Sequence, residues 1–399
     1  MTARQPQPQP QPHQQPHQQL QPHPHLSPPS AEVSPVSTAP HPGSGTPSDA
    51  YAGAVDHYTS PSRRDWVKRE WEEPELVRVL DVAVRASASA RVSAPAATLD
   101  VLDVGCGAGV ALELLRATPS LRSPDAPSVR YLGIDLDPEL LGVAAQRFGD
   151  AKTRFLQADI TDGIPDAPHD LYLSTGVPYS HLTHDELREV VTDVLRAARR
   201  HPRPTVLVID VLGRYSIEWT LRWGQTRWDY RMSFFETDQE HSSTPMSTYG
   251  GAELDALLRQ AAEVAGCELD RIELVDRSLV VGRHTATGEY TPGLRNYRQL
   301  LNDLADPDTL VEVADLRLGD VELPDAPAAV TRFFAGFVAR WDARIEDAQA
   351  EARGRDDREV AAALQPALAE DLQALELAAQ PGLGVGHSLT ATVVTTPGG

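Results

Sequence analysis

Cysteine occurs only twice in the 399 residues, as Cys106 and Cys267, which leaves no disulfide framework and no metal-ligand spacing. That usage fits a reducing cytosol. No apolar run approaches the roughly 20 residues a membrane-spanning helix needs, and the N-terminus has no charged start followed by an apolar segment. The expectation is a soluble cytoplasmic protein with no membrane partner. Lysine is scarce, and the formal net charge is -21 with a pI near 5.0. Phosphate binding depends on clustered Lys and Arg, so no nucleic-acid partner is expected. Large apolar side chains are almost missing from residues 1–50, which repeat Gln-Pro and His-Gln-Gln-Pro. This Pro/Gln/His-rich stretch is read as a disordered tail, and His13, His17, His23, His25 and His41 as solvated rather than metal-binding.

The chain acquires structure from Tyr51, where Tyr58, Trp66, Trp71, Leu76 and Leu80 suggest helices with an aromatic face. Everything after that is organised around one turn. Leu99, Val101, Leu102 and Val104 read as a strand covered on both faces, and Gly105, Gly107 and Gly109 follow at once. Glycine permits a sharp turn and lets backbone N–H groups approach a small molecule closely. A helix then begins with Val110, Leu112, Leu114 and Leu115. The dinucleotide fingerprint Gly-x-Gly-x-x-Gly would put its third glycine at position 110, where Val110 stands. An NAD(P)-dependent oxidoreductase is therefore disfavoured.

Asp103, Asp135 and Asp159 close three successive predicted strands. One such acid would be uninformative, because Asp commonly ends strands and caps helices. Three at the carboxyl edge of a parallel sheet describe a pocket, where open α/β sheets bind ligands. An acid at position 135 suits the two hydroxyls of a ribose. Asp137, before Pro138, is read as the cap of the next helix.

The segment Leu102-Asp103-Val104-Gly105-Cys106-Gly107-Ala108-Gly109 resembles the first motif of the class I S-adenosylmethionine (SAM) dependent methyltransferases, and Gly133-Ile134-Asp135 resembles their second. The resemblance implies SAM as cofactor. It implies that Asp103, Gly105, Cys106, Gly107 and Gly109 pack around the amino acid part of SAM, with Tyr58 near its carboxylate and Ser174 on the cofactor side at the end of the fourth strand. Asp135 would accept from the ribose, and Asp159 from the adenine amino group with Ile160 flanking the ring. The acceptor-facing position is taken by Val177-Pro178-Tyr179, which lacks the first Pro and preceding Asp or Asn of the Pro-Pro-Tyr motif found in amino-methylating enzymes. Tyr179 and His181 are the candidate catalytic residues, with His184 nearby; His181 has the better intrinsic pKa for a general base.

A fifth strand is predicted over 205–210 and a sixth from 271, and the seventh appears only at 387–394. The fold expected is a doubly wound seven-stranded Rossmann-like methyltransferase sheet whose last strand is antiparallel. Its domains would be the tail 1–50, a SAM-binding domain 51–290, a helical insertion 291–383, and a final strand within 384–399. Trp219, Trp223, Trp228 and Tyr230 alternate with Arg222, Arg227 and Arg231 in segment 215–249, which suits a substrate-pocket wall. Within the insertion, Val330, Phe334, Phe337, Trp341 and Ile345 form one apolar helix face. That face must cover either segment 215–249, as a lid over the acceptor, or its copy in a homodimer. The function implied is methyl transfer to a small-molecule acceptor, with a non-catalytic SAM-binding or scaffolding protein as the other reading. No metal is implied.

Overall fold

The computed structural model describes residues 64–89, 98–165, 168–231, 243–280, 287–291, 293–319 and 321–397. The tail 1–50 and Tyr58 lie outside the described residues. All described residues fall in one compact unit.

Five strands run parallel: β1 (Thr98–Val104), β2 (Ser128–Asp135), β3 (Thr153–Gln157), β4 (Leu171–Leu173) and β5 (Val206–Gly213). Two further strands, β8 (Leu269–Arg277) and β9 (Ser388–Thr395), complete the order β3-β2-β1-β4-β5-β9-β8. The late strand β9 lies antiparallel to both neighbours, as expected for the last strand. All eight residues of β5 are buried, which is why its sequence runs apolar rather than alternating.

Helices cover both faces. One face buries Leu80, Val101, Leu112 and Leu171 under α1 (Glu73–Ser89, continuing a π-turn over Val67–Glu72) and α2 (Val110–Arg116). The other buries Leu102, Val191, Ile209 and Leu258 under α4 (His184–Arg199) and α5 (Gly251–Ala265). Start signals follow the sequence: the Asp137 carboxylate accepts from the N–H groups of Glu139 and Leu140 to begin α3 (Pro138–Phe148). Thr183 and Glu186 form a reciprocal capping box at the start of α4.

A hairpin not foreseen in segment 215–249 pairs β6 (Arg227–Arg231) with β7 (Ser243–Tyr249), and β7 then continues alongside the end of β5. Four aromatic residues of this segment are core, and Phe234 and Phe235 lie outside the described residues. Trp219, Trp223, Trp228 and Tyr230 are all buried, and they join Phe334, Phe337, Trp341 and Ile345 of the insertion in a third apolar cluster. Trp223 stacks on Phe334 with 5.6 Å between ring centroids and 23° between planes. The stripe on α7 (Ala328–Ala352) is therefore covered by its own chain, together with α6 (Tyr297–Ala305) and α8 (Gln365–Leu377).

The insertion returns to the sheet through a second glycine-rich turn. The Asp276 carboxylate accepts from the backbone N–H groups of Leu383, Gly384, Val385 and Gly386 at 2.7 to 3.2 Å. Gly382 and Gly384 adopt φ of +68° and +83°, and a Cβ on either would strike backbone or Leu274. The turn thereby wraps its N–H groups around one acid and delivers β9 in register.

Candidate active site

At the carboxyl edge of β1 to β4 lies a cavity of about 670 Å³, lined by the glycine turn, by Asp135, Leu136 and Leu140, by Asp159 and Ile160, and by Thr175, Gly176, Pro178, Tyr179 and His181. Lys68 and Leu76 line it from the N-terminal helical segment, and Arg227 from β6.

The turn after β1 is held by its neighbour strand. The N–H groups of Gly105 and Cys106 both donate to the Ile134 carbonyl, at 2.9 and 3.0 Å, and the Gly107 N–H donates to Asp135 Oδ2 at 2.8 Å. Its three glycines have φ of +70°, +50° and +82°, each in the left-handed region, but they serve different ends. A Cβ on Gly105 would stand 2.5 Å from Pro178 Cβ, and one on Gly109 would stand 2.8 Å from the Phe148 ring. A Cβ on Gly107 would meet nothing within 4 Å. Gly107 is thus the glycine that opens on the cavity, whereas Gly109, which is not among the lining residues, lets α2 pack against α3.

Asp135 also accepts from the Asp137 N–H at 3.0 Å, so backbone donors fix both of its carboxylate oxygens at the cavity wall. Burial raises its pKa, and those N–H groups oppose the rise. Asp159 accepts from the N–H and hydroxyl of Thr161, which orients it at the opposite wall. Asp103 lies one layer behind. It is fully buried, receives the Tyr131 hydroxyl, and is not among the cavity-lining residues. Ser174 is likewise buried and off the cavity wall, because β4 ends at Leu173 and the chain turns outward only at Thr175 and Gly176.

On the far side, Tyr179 is buried with its phenol pushed well up by desolvation. His181 is pushed down to about 4, first by burial and then by the Arg227 charge. Arg227 donates to the carbonyls of His181 and Leu182 at 3.0 and 3.1 Å and to Ser247 Oγ at 2.9 Å. Its neighbours in the Arg-aromatic alternation go elsewhere. Arg222 lies 5.5 Å over the Tyr290 ring, and Arg231 pairs with Glu289 at 2.8 Å. His184 stacks on Tyr249 at 4.3 Å and is not among the lining residues. Sequence reasoning missed Lys68, Thr183 and Glu186 on the wall. The Thr-x-x-Glu capping box was visible for two of these; for Lys68 the only signal was a lysine beside two tryptophans in a lysine-poor chain.

Residues 101–201 match the family model described as "Methyltransferase domain". This segment is a class I SAM-dependent methyltransferase domain. No curated protein matches the sequence. Among solved structures, a chain from the complex of a Haloferax volcanii methyltransferase with its activator is similar at 15% identity, over 88% of this chain and 97% of its own length, with a TM-score of 0.38. A SAM-bound amino pentose methyltransferase from Micromonospora echinaspora is similar at 18% identity, over 59% and 93% of the two chains, with a TM-score of 0.35. Likenesses this distant carry neither acceptor nor partner over to this methyltransferase. SAM is its cofactor, and the chemistry of the cavity wall fits such a group: Gly107 is open, and Asp135 and Asp159 line the same space with carboxylates. Among the described residues no helix is long and apolar enough to cross a membrane, and no cluster of His, Cys, Asp or Glu is placed to hold a metal.

Proposed function

We propose that this methyltransferase acts on a small-molecule acceptor bound beside Tyr179, His181 and Arg227. The observation that carries the reading is the single continuous cavity, whose cofactor-side and acceptor-side groups share about 670 Å³ under the N-terminal helical segment. That volume is within the roughly 300–1,000 Å³ of sites that enclose small ligands. Lys68 and Leu76 of the N-terminal helical segment stand on the wall of the same cavity, and the charge of -21 disfavours a phosphate backbone.

Bound SAM supplies a methyl group already activated by its sulfonium. The protein's own work is alignment and exclusion of water. Asp135 offers carboxylate oxygens to the ribose hydroxyls, Asp159 and Ile160 receive the adenine, and Gly107 lets the backbone approach the amino acid part. On the acceptor side the Tyr179 phenol stays protonated and can donate a hydrogen bond. His181 stays neutral, so one ring nitrogen donates and the other accepts. A base with a pKa near 4 takes a proton poorly at neutral pH, so the role proposed for His181 is to orient the nucleophile rather than to deprotonate it.

The test is S-adenosylhomocysteine release from SAM across panels of small molecules, peptides and nucleic acids. The expected result is turnover with one or more small molecules. Turnover confined to the peptide or nucleic-acid panel would overturn this reading while leaving the methyltransferase assignment in place.

A further inference from the structure

Strand β4 is only three residues long, and the chain that follows it runs beside β5 without forming a strand. Ser174 N–H donates to the Val208 carbonyl at 3.0 Å, Gly176 N–H donates to Asp210 Oδ2 at 2.8 Å, and Leu212 N–H donates to Ser180 Oγ at 2.8 Å. Side chains here replace the missing ladder. The segment they hold contains two successive left-handed residues, Gly176 at φ +87° and Val177 at φ +63°. For a β-branched residue that conformation is strained and persists only where its surroundings enforce it. Val177 has its side chain buried in the third apolar cluster, with Trp219 and Phe334, and its neighbours Gly176 and Pro178 face the cavity.

Asp210 stands in the middle of a fully buried strand, where a carboxylate is costly unless paired. It is paired on every side that the contacts reveal. Arg277, from the end of β8, donates to Oδ2 at 2.7 Å; Thr390, from β9, donates to Oδ1 at 2.9 Å; and Arg277 Nε donates to Thr390 Oγ1 at 2.8 Å. We propose that Asp210 is a positioning residue for SAM: through the Gly176 N–H it fixes the strained turn over residues 175–179 against the glycine loop, and Arg277 and Thr390 hold its carboxylate in place. The turn and the loop touch directly, since Pro178 occupies the space a Cβ on Gly105 would need. Loosening one wall therefore loosens the seat of the cofactor, whichever acceptor is used.

The test uses the full chain and SAM itself. Asp210→Asn keeps the shape but sets an amide N–H group among donors, and the expected result is a SAM dissociation constant raised about tenfold or more, in line with loss of a charge-assisted hydrogen bond. It should also shift the Gly176 amide proton upfield, as read by nitrogen-15 glycine labelling. Because Asp210→Asn leaves Arg277 buried without its partner and can fail to fold, Thr390→Val serves as the second variant, with Thr390→Ser as its conservative control. Thr390→Val should weaken SAM and move the Gly176 resonance, and Thr390→Ser should restore both. If Asp210→Asn or Thr390→Val lowers the melting temperature but leaves SAM affinity within about twofold, a change of under half a kcal/mol, the network is structural only and the proposal fails.

Discussion

His181 is buried beside Arg227, and both effects favour its neutral form. The folded pKa of about 4 lies below the ordinary value of 6.5, so this imidazole gains a proton only in acid. Methyl transfer by the wild type should accordingly show no loss of kcat/KM near pH 6.5; an inflection there that vanishes in His181→Asn would make His181 the titrating base instead. At this scale the sequence was readable where a residue's chemistry does not depend on who its neighbours are. The glycines at 105 and 107 and the acids at 135 and 159 line the cavity because strand ends put them there. It was unreadable where two residues of like chemistry differ only in what lies behind them. Asp103 and Asp135 both close strands, yet one meets the Tyr131 hydroxyl in the interior and the other meets the cavity. Arg222, Arg227 and Arg231 look alike in sequence, and only Arg227 reaches the wall.

The element that changes most between sequence and structure is the aromatic hairpin with its helical cover. Periodicity marked the stripe on α7 correctly, since Val330, Phe334, Phe337, Trp341 and Ile345 are all buried. Periodicity cannot say what an apolar face covers, and here it is the ring set of Trp219, Trp223 and Trp228 rather than an acceptor or a second copy. No residue of α7 lines the cavity. Phe337→Ala should therefore destabilise the fold by about 3–5 kcal/mol, the usual cost of emptying a buried aromatic site. Calorimetry below the lowered melting point should find SAM affinity unchanged. A variant that melts like the wild type, or that loses SAM binding while folded, would contradict this placement. The hairpin itself was missed because β6 spans only five residues and offers just two buried aromatics, Trp228 and Tyr230, in alternation with polar neighbours.

Across the whole molecule, several carboxyls are buried more deeply than their partners compensate. Burial pushes Glu75 from 4.5 to about 8, Glu376 from 4.5 to about 7, Asp103 from 3.8 to about 7 and Asp276 from 3.8 to about 6. Neither oxygen of Glu75 has a hydrogen-bond partner among the described residues, although Arg277 acts on it favourably. Each of these groups holds its proton more tightly folded than unfolded. Its contribution is complete below the unfolded value and is lost as pH rises through the folded one. The melting temperature should therefore fall between about pH 5 and pH 9, and Glu75→Gln, which cannot ionise, should flatten that fall and melt higher than wild type at the alkaline end. A melting temperature that rises with pH over this range would show that these acids are ionised in the fold.

Everything proposed for this site depends on SAM occupying the space into which Gly107 opens. Isothermal titration of SAM into the wild type and into Gly107→Val, both below their melting temperatures, addresses it directly. The β-branched side chain would project into the cavity from a backbone at φ +50°, where L residues are already disfavoured. Saturable binding by the wild type and none detectable by a folded Gly107→Val protein is the result predicted. Absence of SAM binding by the wild type, or equal affinity in the two proteins, would contradict it.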